Sequence, residues 1–264
     1  MPIVATGQVQ LYCEVRGNGP PLLLIMGATG DAEHFAGVAD LLADEFTVLT
    51  YDRRGNSRSS RPPDWETTTP EEQAEDAAGL LRTLELAPAA VFGTSSGAIC
   101  ALSLLICHPK LVRAAILHEP PMLSVLERRS DVEAAIAELL EAGTAAGGPP
   151  GGLEHFWRFV AGDRNWENLE PGLRERMLGN AETFLNVERP LEHYRPDDAT
   201  LAAIATPVQV LVSEGCAPFM PEICDWLALR LGVGVSGTPG THTPYQDRPQ
   251  ELVKTIRSFL SRAG

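Results

Sequence analysis

Apolar and polar residues alternate from Gln8 to Val15, with Val9, Leu11, Cys13 and Val15 on one face and Gln8, Gln10, Tyr12 and Glu14 on the other. This period of two predicts a half-buried strand, turned by Gly17-Asn18-Gly19-Pro20. Short apolar runs follow at residues 22–26, 46–51 and 89–92, separated by helix-like stretches at 32–44 and 70–86. Runs of that length joined by helical crossovers predict a parallel sheet. The pattern continues with a helix over 96–108 and a strand over 113–118, and then stops between about Pro120 and Thr206. It resumes with a strand over 207–213, a helix over 221–231, a short strand at 233–235 and a closing helix over 248–262. The interruption holds helical stretches at 132–141 and 173–187 and a Gly- and Pro-rich run, 143–152, expected to be flexible. The chain thus divides into an α/β core (1–120 and 207–264) and an inserted helical cap (121–206).

Composition narrows the partners. With 264 residues, 44% of them apolar, the chain is long enough to bury a substantial core. A formal charge of −14 repels nucleic acid and anionic lipid surfaces, so neither is an expected partner. The short basic pairs Arg53-Arg54 and Arg128-Arg129 read as solvated surface charge. Five cysteines without CxxC spacing predict no metal site and a reduced environment. The opening residues carry no secretory pattern, and the longest apolar stretch, 98–107, falls well short of the roughly 18 residues of a membrane span. A cytoplasmic protein is the expectation.

Candidate chemistry begins at Gly93-Thr94-Ser95-Ser96-Gly97, which fits G-x-S-x-G between an apolar strand and an apolar helix. A sharp strand-to-helix turn strains the serine and lifts it above the sheet edge, and its glycines remove side chains that would collide there. Ser95 is the candidate nucleophile, and the Ser96 N–H, at the helix start, is a candidate oxyanion donor. A bland polar loop is the competing reading. Of six histidines, His242 alone lies in a flexible stretch between the last short strand and the closing helix, which brings it to the same sheet edge as a general base. A second oxyanion amide is expected from Ala28, in the Gly27-Ala28-Thr29-Gly30 loop after strand 22–26.

The acid is less direct. After strand 207–213 the chain reads Ser213-Glu214-Gly215-Cys216, with no aspartate and with Glu214 close to the strand. Glu119, at the end of strand 113–118, reaches the same edge and preserves the order nucleophile, acid, base. Its role is to accept the Nδ1 proton of His242 and stabilise the imidazolium. Glu214 stays open as the alternative.

These residues resemble the α/β-hydrolase superfamily, and within it the zearalenone-type lactonases and their bacterial relatives. Gly93-Thr94-Ser95-Ser96-Gly97-Ala98 is similar to that group's elbow, and His118-Glu119-Pro120-Pro121 resembles its His-Glu-x-Pro segment, whose glutamate is the triad acid. The stretch from Thr50 to Ser59 looks like the group's structural loop, which implies a structural Asp52. The resemblance implies a mostly parallel sheet flanked by helices, a Ser95-Glu119-His242 triad, oxyanion donors at Ala28 and Ser96, and a pocket shaped by the cap. Trp157 and Trp166 are candidate substrate-binding residues there, against a plain packing role. The implied reaction is hydrolysis of a small ester or lactone, with no cofactor and no metal, and a homodimer as one assembly. Carbon-carbon hydrolase, lyase and perhydrolase chemistry on the same three residues is the alternative enzyme class, and a non-catalytic binding or cyclisation protein is the alternative outside it.

Overall fold

A computed structural model describes residues 3–263. Strands β1 (Ile3–Thr6), β2 (Val9–Arg16), β3 (Pro21–Ile25), β4 (Thr47–Tyr51), β5 (Ala89–Thr94), β6 (Val112–His118), β7 (Val208–Gly215) and β8 (Val235–Thr241) form one sheet in the order β1-β2-β4-β3-β5-β6-β7-β8. β1 and β2 are antiparallel, and from β4 to β8 all pairs are parallel. The alternation of β3 explains the layering. Leu23 and Ile25 join one core with helices α2 (Pro70–Thr83) and α3 (Ser96–Cys107), and Leu22 and Leu24 join a second core with α1 (Ala36–Leu42) on the opposite face. All four side chains are buried, so a charge at any of them would go unpaired between two apolar layers.

β6 and β7 are joined by α4 (Arg129–Ala161), α5 (Asp163–Glu167), α6 (Pro171–Gly179), α7 (Ala181–Thr183), a π-turn (Phe184–Glu188), a 3-10 turn (Arg189–His193) and α8 (Asp198–Ala202). The run 143–152, expected to be flexible, is instead the tip of a tight helical hairpin. Gly147 and Gly148 leave helical geometry, the latter at φ 66°, and Pro149 and Pro150 start the returning arm. A Cβ on Gly143 would strike the Gly151 carbonyl, and one on Gly151 would strike that of Gly143. The glycines therefore serve close helix crossing as well as the turn. The expected helix 173–187 breaks into α6, α7 and the π-turn, and the expected loop before His242 is mostly strand β8.

After β7 come α9 (Met220–Leu231), β8, α10 (Pro244–Asp247) and α11 (Pro249–Ala263). α9 packs on β7 on the same face of the sheet as α2 and α3, while α11 packs with α1, which completes a helix-sheet-helix sandwich. The carboxyl ends of β3, β5 and β6 and the turn after β8 all open on one edge of the sheet, as parallel order requires. Among the described residues no helix is long and apolar enough to cross a membrane.

Candidate active site

Ser95 sits between β5 and α3 at φ 54°, ψ −132°. An L residue with that φ is strained by roughly 1–3 kcal/mol. Tight neighbours hold it there. A Cβ on Gly93 would strike the Gly97 carbonyl, and one on Gly97 the Ile25 carbonyl, so only glycine lets the turn nest between strand and helix. The Ser95 N–H donates to the His118 carbonyl at 2.9 Å, which ties the elbow to β6. Ser96 opens α3, where the first N–H groups have no partner inside the helix.

The oxyanion-loop candidate lies directly alongside. A Cβ on Gly27 would fall 2.6 Å from the Ser95 Cβ, so this glycine is what lets the loop touch the elbow. Gly30 N–H closes the turn on the Gly27 carbonyl at 3.0 Å, and Ala28 lines the same cavity as Ser95, Ser96 and His242.

Glu119 is fully buried at φ 47°, immediately after β6. One carboxylate oxygen, Oε2, meets His242 Nδ1 in a short hydrogen bond; the other accepts the Ser213 N–H from β7. Burial alone would raise the Glu119 pKa, but His118 and His242 outweigh it and hold the carboxyl well below the usual carboxylate range. His118 is clamped between the hydroxyls of Thr94 (2.8 Å) and Ser213 (2.9 Å), which joins β5, β6 and β7 beneath the carboxylate. The acid candidate is therefore oriented by three strands. Glu214 is exposed and Cys216 lies partly buried beyond it. What β7 brings to Glu119 is the amide of Ser213, whose hydroxyl holds His118.

With Nδ1 committed to Glu119, Nε2 is the His242 nitrogen that remains, and His242 lines the same cavity as Ser95. Among the described residues the Ser95 hydroxyl makes no hydrogen bond. Around these groups lies a narrow, largely enclosed cavity. Ile136, Phe156, Val160, Phe184, Phe219 and Met220 make most of its wall apolar.

Two acids from the segment between β6 and β7 interrupt that wall, and the sequence pattern gave no sign of either. Glu188 pairs with Arg53 at 2.7 Å and accepts from Asn56 at 2.8 Å. Glu192 pairs with Arg189, yet burial pushes its carboxyl up to about 7 against the pull of that arginine, with Glu133 adding to the rise. The reading of Arg53-Arg54 as solvated charge is corrected here. Arg53 is wholly buried, and Arg54 makes two hydrogen bonds to buried Asp76, at 2.6 and 2.7 Å. Asp76 lies 22 residues from Arg54 and Glu188 lies 135 from Arg53, beyond any local charge pattern.

Trp157 and Trp166 are not brought to the cavity. Trp157 is buried in a stack on His34, centroids 5.3 Å apart, and Trp166 packs beneath Arg158 and Arg174. Phe156 and Phe184 line the cavity in their place. For Trp157 against Phe156 helical phase is the reason: one position along α4 turns a side chain by about 100°. Asp52 is also buried away from the cavity lining, where it accepts from the Ala32 N–H and from Arg58.

A family model for the alpha/beta hydrolase fold matches residues 20–188. The chain is 33% identical to an uncharacterized hydrolase, YraK, of Bacillus subtilis (strain 168), over 96% of this chain and 93% of the relative. It is 30% identical to a zearalenone hydrolase of Bionectria ochroleuca, over 93% and 91%. The solved structure of a thermophilic esterase from Thermogutta terrifontis superposes with a TM-score of 0.78 at 23% identity, over 97% of this chain and 94% of that one.

Proposed function

The chain belongs to the alpha/beta hydrolase fold family, and from that premise we propose that it hydrolyses a small carboxylic ester or lactone through an acyl-enzyme on Ser95. The observation that carries the proposal is the buried Glu119–His242 pair opening on the cavity that Ser95 lines. A zearalenone hydrolase and an esterase among the similar proteins support the ester and lactone class.

In this mechanism His242 Nε2 takes the Ser95 proton as Oγ attacks the carbonyl carbon. The imidazolium forms beside a carboxylate already held in its ionised form, and Glu119 fixes the tautomer that leaves Nε2 unprotonated beforehand. The carbonyl oxygen, now negative, accepts from the N–H groups of Ala28 and Ser96. Collapse returns the proton from His242 to the departing alcohol; for a lactone that alcohol stays on the same molecule. Water, deprotonated by the same imidazole, then releases the acid and restores Ser95. The helical segment, 121–206, acts as a cap whose aromatic and aliphatic wall selects an apolar acyl or alcohol group and excludes bulk water.

The test is a panel of p-nitrophenyl esters beside small and macrocyclic lactones, run with the wild type and Ser95→Ala. Hydrolysis by the wild type that is lost in Ser95→Ala supports the proposal. Hydrolysis that survives the substitution overturns it.

A further inference from the structure

Arg53 has no place in the mechanism above, although its guanidinium is wholly buried just beneath the elbow. Its Nη2 donates to the Gly27 carbonyl at 2.8 Å and to Glu188 at 2.7 Å, and lies 3.4 Å from the Ser96 hydroxyl. Among the described residues its Nε and Nη1 meet no nitrogen or oxygen acceptor, and the buried Cys100 thiol is the further group beside them. A buried guanidinium whose remaining donors meet at best a weakly accepting thiol is costly, and its position invites an explanation beyond packing.

Chemical connectivity supplies one. The Gly27 carbonyl and the Ala28 N–H belong to one peptide group, and that peptide is trans. In a planar trans peptide the C=O and N–H point in opposite directions. A charged donor that anchors the oxygen therefore aims the N–H to the other side, and it also draws electron density toward the oxygen, which makes the N–H a stronger donor. Glu188 couples this anchor to the segment between β6 and β7. Asn180, from the same segment, donates to the Thr29 carbonyl at 2.7 Å and so grips the same loop two residues on.

We propose that Arg53, held by Glu188, is a positioning residue that sets the Ala28 N–H as an oxyanion donor, so that seating of the helical segment completes the oxyanion hole. The inference rests on the serine-hydrolase reading and extends it. Arg53 touches no substrate and acts through the peptide.

Arg53→Met, Arg53→Lys and Glu188→Gln test it, each checked for cooperative thermal unfolding, with kcat, KM and inhibition by an alkyl trifluoromethyl ketone, which forms an oxyanion adduct on the serine. Loss of a complete oxyanion donor costs 10²–10³ in kcat, so a misaimed one should cost Arg53→Met about 10–100-fold, with KM within about twofold and ketone affinity weakened in parallel. Lys keeps a charged donor and should recover much of the loss. Glu188→Gln keeps the hydrogen-bonding shape and should lose about threefold to tenfold, and it carries the test if Arg53→Met does not fold. A merely structural role would lower the melting temperature and leave kcat and ketone affinity unchanged in folded protein; that result, or a kcat loss without weaker ketone binding, overturns the inference. If the wild type neither turns over esters nor binds the ketone, the hydrolase reading itself falls. If the wild type does both and the variants match it, only the role of Arg53 falls.

Discussion

Replacing Glu119 with Gln is the sharpest perturbation of the proposed chemistry. The side chain keeps its volume, and its carbonyl oxygen can still accept the Ser213 N–H. The group opposite His242 Nδ1, however, changes from acceptor to donor. The ring must then carry its proton on Nε2, which is the wrong tautomer to deprotonate Ser95. The electrostatic loss adds to this. Glu119 is fully buried, and at an effective dielectric of about 20 and about 4 Å between charge centres, the imidazolium-carboxylate attraction is about 4 kcal/mol. That corresponds to about three decades in kcat. Steady-state hydrolysis of a p-nitrophenyl ester should therefore fall about 10³-fold with little change in KM, in protein shown by circular dichroism to be folded. Activity within tenfold of wild type would refute this reasoning, and a larger loss in Glu214→Gln would move the acid to β7.

Further outcomes are expected. Glu192 titrates near pH 7 when folded and at about 4.5 when unfolded, so its contribution to stability is present below about pH 4.5 and is lost as pH rises toward 7. The loss is about 3 kcal/mol at most, and Glu192→Gln should flatten the melting temperature across that window. Glu119 has the opposite sign: its depressed pKa stabilises the fold above about pH 4.5, and that stability is lost as pH falls below it. Acid unfolding of Glu119→Gln should be correspondingly less steep. Phe184→Ala, on the cavity wall, should alter relative kcat/KM among acyl chain lengths by about tenfold while leaving acetyl-ester turnover within about threefold. Gly143→Val should lower the melting temperature, since its side chain meets the Gly151 carbonyl across the hairpin, by an amount corresponding to about 1–3 kcal/mol.

The alternation of strands and helices was legible because buried parallel strands need continuous apolar runs, and β3 to β7 have them. The end of β8 was not. Its Ser236-Gly237-Thr238-Pro239-Gly240 carries turn-forming residues, and it becomes strand because β7 offers it a free edge. The elbow could be read locally, since the constraint on Gly93 and Gly97 lies within a few residues. Glu119 stood beside Glu214 as a candidate in the sequence, and the contact of the Ser213 amide with its carboxylate, set by the register of β6 against β7, could not be read there. Arg53 and Glu188 were illegible for a different reason. A buried ion pair formed between residues 135 apart in sequence leaves two charges that each look solvated on their own. The tryptophans misled because aromatic size marks burial well but says nothing about which helix face turns toward the cavity.

The account depends most directly on Ser95 being a nucleophile activated by His242. Fluorophosphonate labelling, followed by peptide mass spectrometry and timed in the wild type and in His242→Ala, measures this without knowledge of the substrate. One adduct is expected, on Ser95, forming at least about 10²-fold more slowly in the variant. An adduct elsewhere, no adduct, or labelling indifferent to the histidine would contradict it.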